Sequence, residues 1–317
     1  MCYDTPPCGS SQRRRRLSRM VNIMRKLSGL AIASIGLALG TAPGATSAQA
    51  WAKAALDKSP RHGEYVTIPE AGGRKLQAWV VYPEVSQKAP VVVMIHEIFG
   101  LSDWAREMAD QIAAAGYIVV EPDLLSELGP PSAASASTQM PQGSAGAPYV
   151  QVEPGGTAAF PDQDAVVKAV SALPDAQILA DLNASADYGK SLPASNGKLN
   201  VVGFCWGGGK SFLFATNRHD LSAAFVFYGT PPQAPLMKRI TAPVYGFYAG
   251  NDARVTATVP QTVIDMRTAG KVYKPVIYPG AGHGFMRAGE APDADSANAA
   301  AQKKGLRRLL RLLRSDG

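Results

Sequence analysis

Leu199-Asn200-Val201-Val202-Gly203-Phe204-Cys205-Trp206-Gly207-Gly208 is the stretch on which the fold turns. An apolar run, Leu199–Val202, suits a strand, and the spacing from Gly208 to Asn217 predicts a helix. The sharp connection between them places Cys205 at its apex. Positions two before and two after that apex must lack bulk, and both are glycine, Gly203 and Gly207. Such a turn lifts the cysteine above a sheet edge at a helix N-terminus. There the dipole and free N–H groups favour a thiolate, and also the oxyanion formed when a thiolate attacks a carbonyl. The alternative for Cys205 is a buried structural thiol in a glycine-rich turn.

Working outward, strands and helices alternate. Tyr65–Pro69 and Leu76–Tyr82 read as paired strands around Gly72-Gly73. Ala89–Ile95 (APVVVMI) is apolar throughout, as in a strand buried on both faces of a parallel sheet. Ser102–Ala115 has helical spacing, with Trp104, Met108, Ile112 and Ala115 on one side and Gly116 as its stop. Tyr117–Val120, Ala223–Tyr228, Val244–Tyr248 and Val272–Tyr278 are further strands; Val259–Ala269 and Ala294–Leu313 are further helices. This alternation predicts an α/β fold, a mostly parallel central sheet with helices on both faces. Leu128–Pro161 interrupts it. Rich in Gly, Pro, Ser and Ala and free of Lys and Arg, it is either a flexible insertion or a lid. Pro161–Leu192 resumes helical patterning, with Val166, Val170, Ile178, Leu182 and Tyr188 as expected buried positions.

A nucleophile needs a base, and the chain has four histidines. His62 lies in a polar entry segment, His219 beside Asp220 past a helix end, and His96 at the end of an apolar strand as a structural candidate. His283 lies in Gly280-Ala281-Gly282-His283-Gly284-Phe285, a glycine-rich loop after a strand, where ligands of parallel sheets bind. Asp252, in Gly250-Asn251-Asp252 after the strand Val244–Tyr248, can orient an imidazole; its alternative is an Asx-turn residue. Cys205, Asp252 and His283 follow the order nucleophile, acid, base. Glu97, past the end of Ala89–Ile95, is a fourth candidate, or else a loop carboxylate.

Taken together, His96-Glu97-Ile98-Phe99-Gly100, Gly203-Phe204-Cys205-Trp206-Gly207-Gly208, Gly250-Asn251-Asp252 and Gly282-His283-Gly284-Phe285 resemble the dienelactone hydrolase family, from about Tyr65 to the last helix. The resemblance implies an α/β-hydrolase fold and a Cys-Asp-His triad at Cys205, Asp252 and His283. It implies a glutamate, Glu97, in contact with the resting thiol, and oxyanion donors at the backbone N–H groups of Ile98 and Trp206. It also places a carboxylate-binding arginine at Arg287 and a site-wall aromatic at Tyr228. A second family arginine has no counterpart, since no Arg lies between Leu125 and Pro161.

The expected activity is cleavage of small-molecule esters or lactones through a thioester on Cys205. Alternatives are a general carboxylesterase or thioesterase of the same fold, and a non-catalytic envelope binding protein on that scaffold. No cofactor is implied: Gly207–Gly209 lacks the Lys-Ser/Thr register of a phosphate loop. No metal is implied either, for want of ligands at metal spacing.

Composition agrees. The chain of 317 residues is 46% hydrophobic and 18% charged, an ordinary globular balance. Its net charge of +7 is concentrated at Arg13–Arg16, Arg19, Arg25 and Lys26, so the nearly neutral remainder has no field for nucleic acid. Residues 1–50 read as a leader. Arg25 and Lys26 precede an apolar Leu27–Gly40, too short to span a bilayer, and Ala48-Gln49-Ala50 is a cleavage signal. Met24 is a plausible initiator, which would make residues 1–23 upstream sequence. The expected product is an exported protein, periplasmic or secreted, with one α/β domain over 51–317, carrying an insertion at 128–161 and not inserted in a membrane. Cys2 and Cys8 leave with the leader, so Cys205 remains as a lone thiol. The final Lys303–Arg314 is basic and amphipathic, read as the solvated face of a packed helix. The sequence sets no oligomeric state.

Overall fold

The computed structural model describes residues 49–130, 139–140, 150–151 and 155–316. All belong to one unit, Pro43–Gly317. The leader, apart from Gln49 and Ala50, lies outside them, as do residues 131–138, 141–149 and 152–154 of the insertion.

Ten strands are described: β1 (Gly63–Pro69), β2 (Lys75–Val81), β3 (Ala89–Ile95), β4 (Ile118–Pro122), β5 (Gln139–Met140), β6 (Val150–Gln151), β7 (Ser195–Phe204), β8 (Leu221–Phe227), β9 (Val244–Ala249) and β10 (Tyr273–Tyr278). Eight of them form one sheet, in the order β1-β2-β4-β3-β7-β8-β9-β10, while β5 and β6 pair only with each other. β1 and β2 are antiparallel, β2 joins β4 antiparallel, and β4, β3, β7, β8, β9 and β10 run parallel. The helices are α1 (Ala50–Leu56), α2 (Asp103–Ala114), α3 (Gln163–Ala172), α4 (Asp175–Ser191), α5 (Trp206–Ala215), α6 (Ala234–Met237), α7 (Ala253–Thr256), α8 (Val259–Thr268), α9 (Phe285–Ala288) and α10 (Ser296–Asp316).

The apolar run of β3 is buried on both faces because each face has its own core. Val91, Val93 and Ile95 pack with Ile178 and Leu182 of α4, Phe212 of α5 and Met266 of α8. Val92 and Met94 pack with Trp104, Met108 and Ile112 of α2 and Leu309 and Leu313 of α10. Period-two alternation therefore feeds two layers of helices from one strand. On α10, Lys303, Lys304, Arg307, Arg311 and Arg314 are exposed opposite those leucines. Among the described residues no helix is long and apolar enough to cross a membrane.

Helical patterning over Pro161–Leu192 resolves into two helices rather than one. Leu173 is extended (ψ 127°) and Pro174 precedes α4, because the proline ring excludes its predecessor from the helical region. Tyr188, expected in the core, is only half-buried. Of the insertion, Gly155–Ala159 folds back on the sheet: the Thr157 N–H and hydroxyl donate to the Asp123 carboxylate at 2.7 and 2.9 Å.

Candidate active site

β7 stops at Phe204 and α5 starts at Trp206, so Cys205 alone makes the turn, at φ 57° and ψ −119°. A non-glycine residue in this region is strained by about 1–3 kcal/mol and is held there by its surroundings. The flanking glycines are demanded by contact. A Cβ on Gly203 would stand 2.0 Å from the Gly207 carbonyl oxygen, and one on Gly207 would stand 2.3 Å from that of His96. Backbone, not a movable side chain, fills both spaces.

The turn brings the thiol to the two loops expected to serve it. His283 Nε2 lies 3.0 Å from Cys205 Sγ, and His283 Nδ1 lies 2.5 Å from Asp252 Oδ2. A carboxylate only accepts, so Nδ1 carries the proton and Nε2 is left to accept from the thiol. Asp252 is 7% exposed and also caps α7 by accepting from the Val255 N–H at 3.3 Å. The Asn251 N–H donates to the Ala281 carbonyl at 2.8 Å, and the Gly282 N–H donates to Asn298 Oδ1 at 2.8 Å. The loops that carry Asp252 and His283 are thus pinned to each other and to α10.

Burial and the charge of Glu97 push the Cys205 thiol up to about 11, against the N–H groups of Trp206 and Ile98 and the charge of Arg254, which favour the anion. The helix N-terminus alone would suggest a resting thiolate; here desolvation and a carboxylate outweigh it, so the resting group is a thiol. The two N–H groups that favour the sulfur's anion are those of the residues expected to form an oxyanion hole.

Glu97 is 2% exposed. Burial raises its pKa, while Arg287 holds it back. Arg287 Nε donates to Glu97 Oε2 at 2.8 Å, and its guanidinium stacks 4.8 Å from the centre of the Phe99 ring. The arginine expected to bind a substrate carboxylate is thus paired through Nε with this chain's own acid. Glu97 reaches the thiol through its charge rather than through a direct hydrogen bond. Tyr228 closes the site from behind: its ring meets His283 edge-on at 5.1 Å. Its hydroxyl is buried, with no partner in good hydrogen-bond geometry, though it is near enough to Glu97 to help hold that acid's charge.

A cavity of about 480 Å³ opens on Cys205, walled by Ile98, Trp206, Leu213 and Tyr228 and rimmed by Lys210 and Arg254. Lys210 is committed, 2.6 Å from Asp175 and over the Trp206 ring. Arg254 is exposed and has no ion pair among the described residues. Sequence reasoning passed over it; the available signal was an arginine two residues beyond the acid, at the carboxyl end of a parallel strand. The remaining histidines stand apart from the sulfur. His62 and His219 are exposed, and His96 is fully buried beneath Trp206. Among the described residues no three His, Cys, Asp or Glu side chains gather as a metal cluster.

Residues 76–316 match the dienelactone hydrolase family. Carboxymethylenebutenolidase of Pseudomonas putida is 28% identical over 244 residues, covering 77% of this chain and 94% of its own. A Salmonella typhi protein described as a candidate carboxymethylenebutenolidase is 28% identical over 258 residues, covering 77% of this chain and 84% of its own. A solved structure from Klebsiella pneumoniae subsp. pneumoniae, described as a candidate dienelactone hydrolase, superposes with a TM-score of 0.64 at 25% identity and covers 79% of this chain and 97% of that one. The mostly parallel eight-stranded sheet is the α/β-hydrolase fold of these relatives, and the chain belongs to the dienelactone hydrolase family, hydrolases of esters and lactones.

Proposed function

We propose that this hydrolase opens its ester or lactone substrate by attack of Cys205 on the acyl carbonyl, through a thioester. The observation that carries the reading is the continuous Sγ–Nε2–Nδ1–Oδ2 chain from Cys205 through His283 to Asp252, at 3.0 and 2.5 Å. His283 takes the thiol proton as sulfur bonds to the carbonyl carbon. The negative charge moves onto the carbonyl oxygen, towards the N–H groups of Ile98 and Trp206. The tetrahedral adduct collapses, the C–O bond breaks and the imidazolium returns its proton to the leaving alkoxide. His283 then draws a proton from water, whose hydroxide releases the acid and the thiol. Glu97 acts before substrate arrives, its charge keeping the thiol protonated and unreactive.

Cys205→Ala should lower hydrolysis of aryl esters and lactones by about 10³-fold or more. Undiminished turnover would overturn the reading. A general carboxylesterase or thioesterase of this fold is the second reading, and the lack of a second arginine between Leu125 and Pro161 favours it over a dedicated carboxylate-bearing lactone. Comparable kcat/KM on neutral esters and on acidic lactones would decide for it. A non-catalytic binding protein would bind such esters and release them unhydrolysed. We also propose export of the chain, on the strength of the Arg25–Ala50 signal; fractionation of cells making the tagged full chain checks it.

A further inference from the structure

His96 is fully buried directly after β3, and no step of the proposed reaction uses it. Its Nδ1 lies 2.7 Å from the Glu97 carbonyl oxygen, which also accepts from the Gly100 N–H at 3.1 Å. A carbonyl only accepts, so Nδ1 bears the proton. The peptide unit is planar and trans, so the Glu97 C=O and the Ile98 N–H point in opposite directions from one rigid plate. Holding the oxygen therefore aims the N–H, and the Ile98 N–H is one of the two that favour the Cys205 anion. The imidazole also lies parallel to the Trp206 ring, at 5.8 Å between centres and 10° between planes, and Trp206 supplies the second N–H. The His96 carbonyl oxygen in turn fills the space beside Gly207 that a side chain would need. One residue thus touches both arms of the anion site.

We propose that His96 is a positioning residue that orients the Ile98 and Trp206 N–H groups for the developing oxyanion, an inference that rests on the Cys205 reading above. A second observation supports it. His96 Nε2 is buried with no hydrogen-bond partner. Such a nitrogen is a cost that an apolar ring of similar size would avoid, so packing alone does not explain the histidine. Burial also lowers the imidazole's affinity for a second proton, against the pull of Asp123, which keeps the ring neutral with its one proton on Nδ1.

The test compares His96→Phe and His96→Leu, which fill space without a donor, with His96→Asn, whose amide nitrogen stands as many bonds from the backbone as Nδ1. Each is assayed for kcat and KM on an aryl ester, and for the rate of Cys205 alkylation by iodoacetamide, a displacement that builds no oxyanion. Removing an oxyanion donor outright costs on the order of 10²–10³ in kcat, so misaiming one should cost about tenfold or more. The apolar variants should show that fall with KM within about twofold and a smaller loss of alkylation rate, since the same N–H groups favour the sulfur anion, and His96→Asn should recover most of the turnover. If the apolar variants do not fold, His96→Asn decides alone: near-native kcat supports the role and a tenfold loss overturns it. Apolar variants as fast as the native enzyme would also overturn it, as would a loss of alkylation as large as the loss of kcat, which marks general disruption. Cys205→Ala in the same assay separates the two failures. If it retains turnover, the nucleophile reading falls; if it is inactive while His96→Phe is fully active, only the role of His96 falls.

Discussion

Arg287 Nε donates to Glu97 Oε2 at 2.8 Å, tying the segment after His283 to the loop that carries the Ile98 N–H. The pair places a buried acid within reach of the Cys205 thiol; burial raises that acid's pKa, and the arginine works against the rise. The resting site is thus a held acid beside a held thiol, with the cavity on the thiol's other side.

Removing the charge should release the thiol. Glu97→Gln keeps the shape and deletes one of the two influences that push Cys205 up to about 11; burial, the larger, remains. The midpoint of iodoacetamide alkylation against pH should therefore move down, towards but not to the ordinary value. Alkylation at pH 8 should be several-fold faster than in the native enzyme. An unchanged midpoint would mean that Glu97 does not act on the thiol.

Arg254 acts in the opposite sense, since its charge favours the thiolate. Arg254→Ala should move the same midpoint up. The side chain is exposed, so the shift should be small and should fade above about 0.15 M salt as screening lengths fall below about 8 Å. A shift indifferent to salt would contradict this account.

The elbow glycines offer a test of the backbone. Gly207→Ala drives a methyl to within 2.3 Å of the His96 oxygen and 2.5 Å of the Ile95 oxygen. Overpacking against backbone costs about 1–3 kcal/mol, and here β3 must move away from α5. Thermal unfolding should fall by about 3 °C or more, with turnover lost even where the fold survives. An active, equally stable variant would show that the turn is looser than described.

Much of this was legible in the sequence, for identifiable reasons. The run Ala89–Ile95 is a strand to the residue because only a strand between two helical layers needs seven consecutive apolar positions. The elbow was legible because steric exclusion at Gly203 and Gly207 leaves one permitted residue. Cys205, Asp252 and His283 were found by chain order, and the fold brings their side chains into line. The protonation of the thiol was not legible. It depends on how deeply Cys205 and Glu97 are buried together, a product of packing between segments 108 residues apart. The partnership of Arg287 with Glu97 was hidden for the same reason, and residue type alone could not distinguish a substrate clamp from an internal counterion.

Stability should depend on pH at a buried pair of carboxyls. Glu107 of α2 and Glu290 after α9 face each other, with Gln111 donating to both and Trp104 and Gln302 donating to Glu290. Burial first, and the neighbouring Glu290 charge second, push Glu107 up to about 8. A carboxyl whose folded value is raised favours the protonated fold. Its contribution is complete below about pH 4.5 and is lost as pH rises to about 8. Melting temperature should decline across that window, and Glu107→Gln should flatten the decline, leaving the variant more stable than the native chain at pH 8.5 by on the order of 2 kcal/mol. A variant that declines in parallel with the native chain would contradict the assignment.

The central claim is that Cys205 carries the acyl group. Intact-protein mass measurement after rapid acid quench of the enzyme with an aryl acetate tests it most directly. The expected result is a transient gain of one acetyl mass, removed by neutral hydroxylamine as a thioester is, mapped to the peptide containing Cys205 and absent in Cys205→Ala. An acetyl adduct on another residue during turnover, or the same adduct in Cys205→Ala, would contradict it.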